Sequence, residues 1–293
     1  MTILCFLWII LAFQISAHPT GNMISVGNTV LWSYIDPIDD FEHHACIMIW
    51  REGSAPQVLI KSEFPASDFI LSSNYEDIYI LERRFIQSSE TFQSRILKMK
   101  IGEKPIEIWS WFNDEWKVGE GGYYMPNDSQ IVFAKYPEVF LLEKNQKPIK
   151  YNFTINKPIV RIRLVENNEV LLLGENSCWL IDKKGRLLKS WKNLLDENVE
   201  NAPLSRNSIF DIDYRNGELL FAYWGKRSFE TISNNGERKV IYQLNEPYAP
   251  HWVSYFKNSK LFFSSKLIFD GSTPKPNLIL YKSSNEIVEI WKK

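Results

Sequence analysis

The feature that most constrains this chain is a repeat. Short runs rich in Val, Ile, Leu, Phe, Tyr and Trp are cut by Asn, Gly, Asp and Pro, and the runs group in fours. β-branched and aromatic residues suit a pleated, half-buried strand, whereas Asn, Gly, Asp and Pro suit the tight corners between strands. The grouping recurs six times. It begins with MISV, TVLWSYI, ACIMIW, QVLIKSEF, and continues with DFILSS, DIYILERRF, SRILKMKI, PIEIWSW. The third and fourth groups are GYYMPN, QIVFAKY, EVFLLEK, PIKYNFT, then VRIRLVE, EVLLLGE, CWLIDKK, LLKSW. The last two are IFDIDY, ELLFAYW, SFETISN, RKVIYQL, then HWVSYF, KLFFSSKLI, NLILYKS, IVEIW. The first-to-second corners carry Gly27-Asn28, Asn127-Asp128, Asn167-Asn168 and Asn216-Gly217, residues that tolerate the positive φ of a tight hairpin. No long helical period appears; Trp191 to Val199 has room for one short helical turn.

A four-stranded unit cannot bury both of its faces alone, so such units stack on one another. A period of about 40 to 50 residues holding four strands is the signature of a propeller blade. The expectation is therefore an all-β fold, a six-bladed β-propeller with four antiparallel strands per blade, spanning 18–293 as one domain. A pair of sandwiches, each the size of three blades, is the alternative. On these repeats the chain resembles the broad six-bladed propeller superfamily that includes TolB-like, NHL-like and gluconolactonase-like proteins. The resemblance covers nearly all of the chain and is architectural. The metal ligands of gluconolactonase-like enzymes do not map onto this sequence, and no catalytic residue is carried over. The first and last blades look complete, which predicts ring closure by blade-on-blade contact rather than by strand exchange. Fourth runs often end in Trp (Trp109, Trp111, Trp191, Trp291).

Residues 1–17 read as a signal peptide. The run Ile3 to Phe13 is apolar, uncharged and too short to span a bilayer, and Ala17 offers a small residue before a cut at His18. No Lys or Arg precedes the run, so a retained N-terminal anchor is the alternative. The expected location is secreted or periplasmic, with no transmembrane span in the mature chain. Cys46 and Cys178 fall on different blades and are read as small buried hydrophobes rather than a bridge. A net charge of −1 and the lack of a clustered Lys/Arg run give no sign of a general nucleic-acid or anionic-membrane binder.

In a propeller the first strand of each blade lines the central channel. The starts of the first strands and the second-to-third loops share one face. His18, His43, His44 and His251, the four histidines of the chain, all map to one sector of that face, with blades six and one adjacent. The stretch DPIDDFEHHA, which holds His43, His44 and Asp40, is the second-to-third loop of blade one. Imidazoles and carboxylates are the usual ligands of a divalent transition metal, which makes His44, His251, His18 and Asp40 a candidate site for one divalent metal. Adjacent His43 and His44 point to opposite sides of an extended segment, so one of them joins any site. The competing reading is a set of hydrogen-bonded loop histidines.

A second candidate lies inside the ring. Arg161 and Arg163 alternate on blade four's first strand, and Asp211 and Asp213 on blade five's. Side chains two apart share a strand face, so the Arg pair and the Asp pair meet near the axis, as a structural ladder or as a wall gripping an anionic or sugar ligand. Trp252 and other aromatics near the channel face offer ring contacts for a ligand. Gly119, Gly121 and Gly122 precede blade three and are read as a flexible lead-in. Two functions fit: an exported binding or scaffold module for a protein or carbohydrate ligand, or a metal-dependent hydrolase or lyase acting on a saccharide or lactone through the histidines.

Overall fold

The computed structural model describes residues 21–35, 44–74, 76–153, 155–267 and 275–292. The leader 1–17 and positions His18, Asp40 and His43 lie outside the described residues.

Blade one comprises β1 (Met23–Val26), β2 (Thr29–Ile35), β3 (Ala45–Arg51) and β4 (Gln57–Lys61). Blade two is β5 (Ser67–Ser73), β6 (Ile78–Ile86), β7 (Thr91–Met99) and β8 (Ile106–Asn113). Blade three is β9 (Tyr123–Asn127), β10 (Gln130–Lys135), β11 (Glu138–Glu143) and β12 (Ile149–Lys150). Blade four is β13 (Arg161–Val165), β14 (Glu169–Leu173), β15 (Ser177–Ile181) and β16 (Leu187–Lys192). Blade five is β17 (Ile209–Arg215), β18 (Glu218–Tyr223), β19 (Ser228–Ile232) and β20 (Arg238–Gln243). Blade six is β21 (Tyr248–Phe256), β22 (Ser259–Lys266), β23 (Pro276–Ser283) and β24 (Glu286–Lys292). Each sheet pairs its four strands in chain order, and all pairs are antiparallel. The chain is a six-bladed β-propeller, and each blade is complete in itself.

The core sits in the seams. Six large apolar clusters each join consecutive blades, including blade six to blade one, where Trp252, Phe256 and Phe263 pack with Met23, Trp32 and Cys46. That last seam rules out two separate sandwiches. Second strands are covered on both sides by neighbouring blades, so β10, β14 and β18 read as nearly unbroken apolar runs with buried interiors. Fourth-strand tryptophans reach across the seams. The Trp109 Nε1–H donates to Asp128 O at 2.8 Å, Trp191 packs on Tyr214 at 5.6 Å, and Trp291 meets Tyr34 edge-on at 4.6 Å. Trp111 instead lies under the Arg84 guanidinium, 4.0 Å away.

The corners follow the expected chemistry. Asn216 and Gly217 turn at φ of 50° and 85°, and Asn167 and Asn168 at 59° and 56°, the positive values that a twisted two-residue hairpin needs at both positions. Three expectations change. Trp191 to Val199 holds no helix, because Asn193 turns at φ 55°; single 3-10 turns lie at Glu166–Asn168 and Pro203–Ser205. The fourth strand of blade three shrinks to two residues. The glycines before blade three serve close approach rather than flexibility: a Cβ on Gly122 would lie 2.2 Å from Ile162 O, and the Ile162 N–H donates to Gly121 O at 2.8 Å.

The connectivity gives the ring two faces. The upper face carries the starts of the first strands and the second-to-third loops. The lower face carries the first-to-second and third-to-fourth turns. Among the described residues no helix is long and apolar enough to cross a membrane.

Candidate functional site

First strands splay around the axis, too far apart for their backbones to pair, so each is an inner edge with N–H and C=O groups in need of partners. Polar side chains meet that need. The Asn22 Nδ2–H donates to Leu71 O and its Oδ1 accepts from Leu71 N–H, both at 2.7 Å, which clips blade one to blade two. Asp211 accepts the Val253 N–H at 3.1 Å and Asp213 accepts the Tyr255 N–H at 2.9 Å, which clips blade five to blade six.

The alternating arginines and aspartates do meet at the axis. Arg163 Nη1 lies 3.2 Å from Asp211 Oδ2, 3.0 Å from Ile212 O and 3.0 Å from Val253 O. Its Nη2 lies 3.2 Å from Met23 O, 3.4 Å from Ser254 Oγ and 3.4 Å from Asp213 Oδ2. One guanidinium therefore ties the first strands of blades four, five, six and one, using donors fixed in a planar fork. Arg161, two residues upstream and nearer the upper face, differs. Its sole ion pair among the described residues is to Asp211 Oδ1 at 3.5 Å, and its side chain keeps 21% exposure. Both arginines line an axial cavity of about 70 Å³ that also touches Asn22, Ser25 and Ser72. The Ser25 and Ser254 hydroxyls bond each other at 3.0 Å across it.

Burial pushes the Asp211 carboxyl above the usual carboxylate range, against the pull of Arg163 and Arg161. Burial likewise pushes Arg161 below its ordinary value, with Asp211 opposing and Arg163 reinforcing. An added anion near Arg161 favours its charged form, so the local field at this guanidinium is better satisfied with an acidic group present.

The two described histidines occupy different seams. His251 is buried between blades five and six. Its Nε2 lies 2.6 Å from Ser265 Oγ, and Trp224, Phe210, Trp252 and Phe263 stand around the ring at 5.4 to 6.2 Å. His44 is half-buried at the start of β3, where its Nδ1 lies 3.1 Å from Ser62 O. A carbonyl only accepts, so Nδ1 carries the proton. The Ser62 hydroxyl in turn bonds Glu82 of blade two. His44 thus lies beside blade two and His251 beside blade five. Among the described residues no group of three His, Cys, Asp or Glu is placed to hold a metal. Trp252 is a core residue, 3% exposed and stacked on Phe263 at 4.3 Å. Cys46 and Cys178 are buried in separate blades, one and four, and are not bridged to each other.

The sequence reading missed a set of buried acids inside the strands. Glu82 is bonded by Ser62 Oγ at 2.6 Å and paired with Arg95 at 2.6 Å. Glu230 repeats the pattern in blade five, with Ser228 Oγ at 2.7 Å and Arg238 at 2.6 Å. Each is a lone acid in an apolar run (YILERR, FETIS), which is the available signal, and each is followed within thirteen residues by its arginine. The upper face also carries a wider recess of about 510 Å³ beside blade five, lined by Asn198, Asn201, Lys226, Arg227, Gln243 and Glu246.

No known sequence family matches the chain, and no curated protein does. Solved structures match in shape. A streptogramin B lyase is 15% identical over 90% of this chain and 95% of that chain, with a TM-score of 0.50. A virginiamycin B lyase from Staphylococcus aureus, solved with quinupristin, is 13% identical over 92% of this chain and 82% of that chain, with a TM-score of 0.47. A nidogen/laminin complex is 11% identical over 76% of this chain and 79% of that chain, with a TM-score of 0.47. At these identities the likeness shows the fold alone.

Proposed function

We propose that the protein is a binding module that receives a protein or glycan ligand on one face and draws one carboxylate of it into the axial cavity at Arg161. The observation that carries this reading is the contrast between the two arginines. Arg163 is saturated by contacts within the ring, whereas Arg161 lines the cavity with a single 3.5 Å ion pair. A cavity of about 70 Å³ suits one small acidic group rather than a whole ligand, so the surrounding face supplies the remaining contacts. The apolar run at 3–13 supports export of the module.

The test follows the Arg161 side-chain N–H resonances by NMR while glucuronate or N-acetylglutamate is added, with glucose as the neutral control. The expected outcome is a saturable shift with the two acids, none with glucose, and loss of the response in Arg161→Gln. Unmoved Arg161 resonances would refute the reading. A hydrolase or lyase built on the histidines finds less support, because His44 and His251 sit in separate seams.

A further inference from the structure

Ten large apolar side chains are exposed among the described residues, and eight of them lie on fourth strands, within the first three positions. They are Val58, Ile106, Ile149, Leu187 with Leu188, Val240, and Ile287 with Val288, so every blade contributes. Fourth strands are outermost and begin at the lower face, so these side chains form a belt round the lower rim. Scattered exposed aliphatics are ordinary; exposed aliphatics near the start of all six fourth strands are a recurring feature.

Charge separates one part of this belt from the rest. In blades two to five the turns leading into the fourth strands, or in blade five the start of β20, present Lys100, Lys104, Lys147, Lys183, Lys184 and Lys239, all exposed and without an ion pair among the described residues. The exposed acids of these same segments are fewer, Glu103, Glu107 and Glu237. In blade six the corresponding Lys282 pairs with Glu286 at 2.6 Å, and the turn of blade one carries one exposed cation, Arg51, beside Glu52, which pairs with Lys257 of blade six at 2.6 Å. The sequence hides the patch because its lysines come from four separate blades, and the chain's net charge is −1.

We propose that the lower rim of blades two to five docks on an anionic lipid surface. Ammonium groups beside exposed aliphatic side chains match the headgroup and acyl boundary of such a surface. Shape favours lipid over an acidic protein: the four segments lie at the outer edge of one face, spread over more than half the ring, and a flat extended surface reaches them together.

The experiment is vesicle flotation with the full chain at about 0.1 M salt, where screening leaves short-range attraction intact. Vesicles are phosphatidylcholine alone or with about one fifth phosphatidylserine. The protein is expected to bind the anionic vesicles and to leave them at high salt. Each lysine near such a leaflet contributes about fivefold to partitioning, so the triple variant Lys147→Glu, Lys183→Glu, Lys184→Glu should lose about a hundredfold. Ile149→Asn with Leu187→Asn should weaken binding as well, with melting unchanged because both side chains are exposed. Equal binding to neutral and anionic vesicles, insensitive to the lysine changes, would assign the contact to the apolar leader and overturn the proposal. Retention on polyglutamate without vesicle binding would assign the patch to an acidic protein and overturn it too.

Discussion

Arg163 and Arg161 lie two residues apart on one strand face, yet the ring uses them differently. Removing Arg163 leaves Asp211, 2% exposed, and Asp213 without their main cation, and an uncompensated buried charge typically costs about 3–5 kcal/mol. Arg163→Met is therefore expected to destabilise by that amount in chemical denaturation. Arg161→Met should cost under about 1 kcal/mol, since its one ion pair is long and partly exposed. Equal losses in the two variants would contradict the division of roles. This pair was legible in the sequence because a strand's period of two is fixed, so RIR and DID had to place like charges on one side. His251 was not. Its cage includes Phe210 and Trp224 from the neighbouring blade, and no local pattern in HWVSYF reports how those rings close over an imidazole.

Strand corners illustrate how side chains tie one element to the next. Tyr79 on β6 is buried in the seam with blade three. Its hydroxyl donates to Asp128 Oδ1 at 3.1 Å, and Lys98 bridges Asp128 and Asp77 at 2.9 and 3.0 Å. Burial, reinforced by the Asp128 charge and opposed by Lys98, pushes the Tyr79 phenol up to about 12. A raised value means that the folded chain holds the proton longer than the unfolded chain, whose phenol titrates near 10. The associated stability is complete below about pH 10 and is lost as pH rises toward 12. Wild type and Tyr79→Phe should thus differ by a constant amount in denaturation up to about pH 10, after which wild type loses ground. Parallel curves to pH 12 would show that Tyr79 is not the titrating group. The strands and most corners of this seam were readable from alternation and from Asn-rich turns. The buried acids Glu82 and Glu230 were only half readable, since a lone acid in an apolar run predicts a partner without naming it.

The ring as a whole has one seam unlike the others. Five seams are crossed by the chain; the seam between blades six and one is held by side-chain packing, with Trp291 against Trp32 and Tyr34 at its edge. Among the described residues no strand is exchanged across it, because every sheet is built from four consecutive strands. An opening fluctuation that starts there breaks apolar contacts, the Ser25–Ser254 and Lys257–Glu52 contacts and the Arg163 tie, whereas opening elsewhere must also work against the connecting chain. This asymmetry predicts the behaviour of a circular permutant. Joining residue 292 to residue 21 with a flexible linker and opening the chain between Lys184 and Gly185 makes β16 the first strand and β15 the last. Blade four is then closed by both ends of the chain through the β15–β16 ladder, which pairs Cys178 with Trp191 and Trp179 with Ser190, and the weak seam becomes covalent. The permutant should fold to the same ring and unfold more slowly, by about tenfold or more, because stabilising contacts absent from the opened state lowers the unfolding rate. Unfolding kinetics in denaturant measure this directly. A permutant that folds but unfolds at the natural rate would mean that the ring opens at another seam, and the Arg163 tie between blades four, five, six and one would then be the contact that holds the uncrossed seam shut.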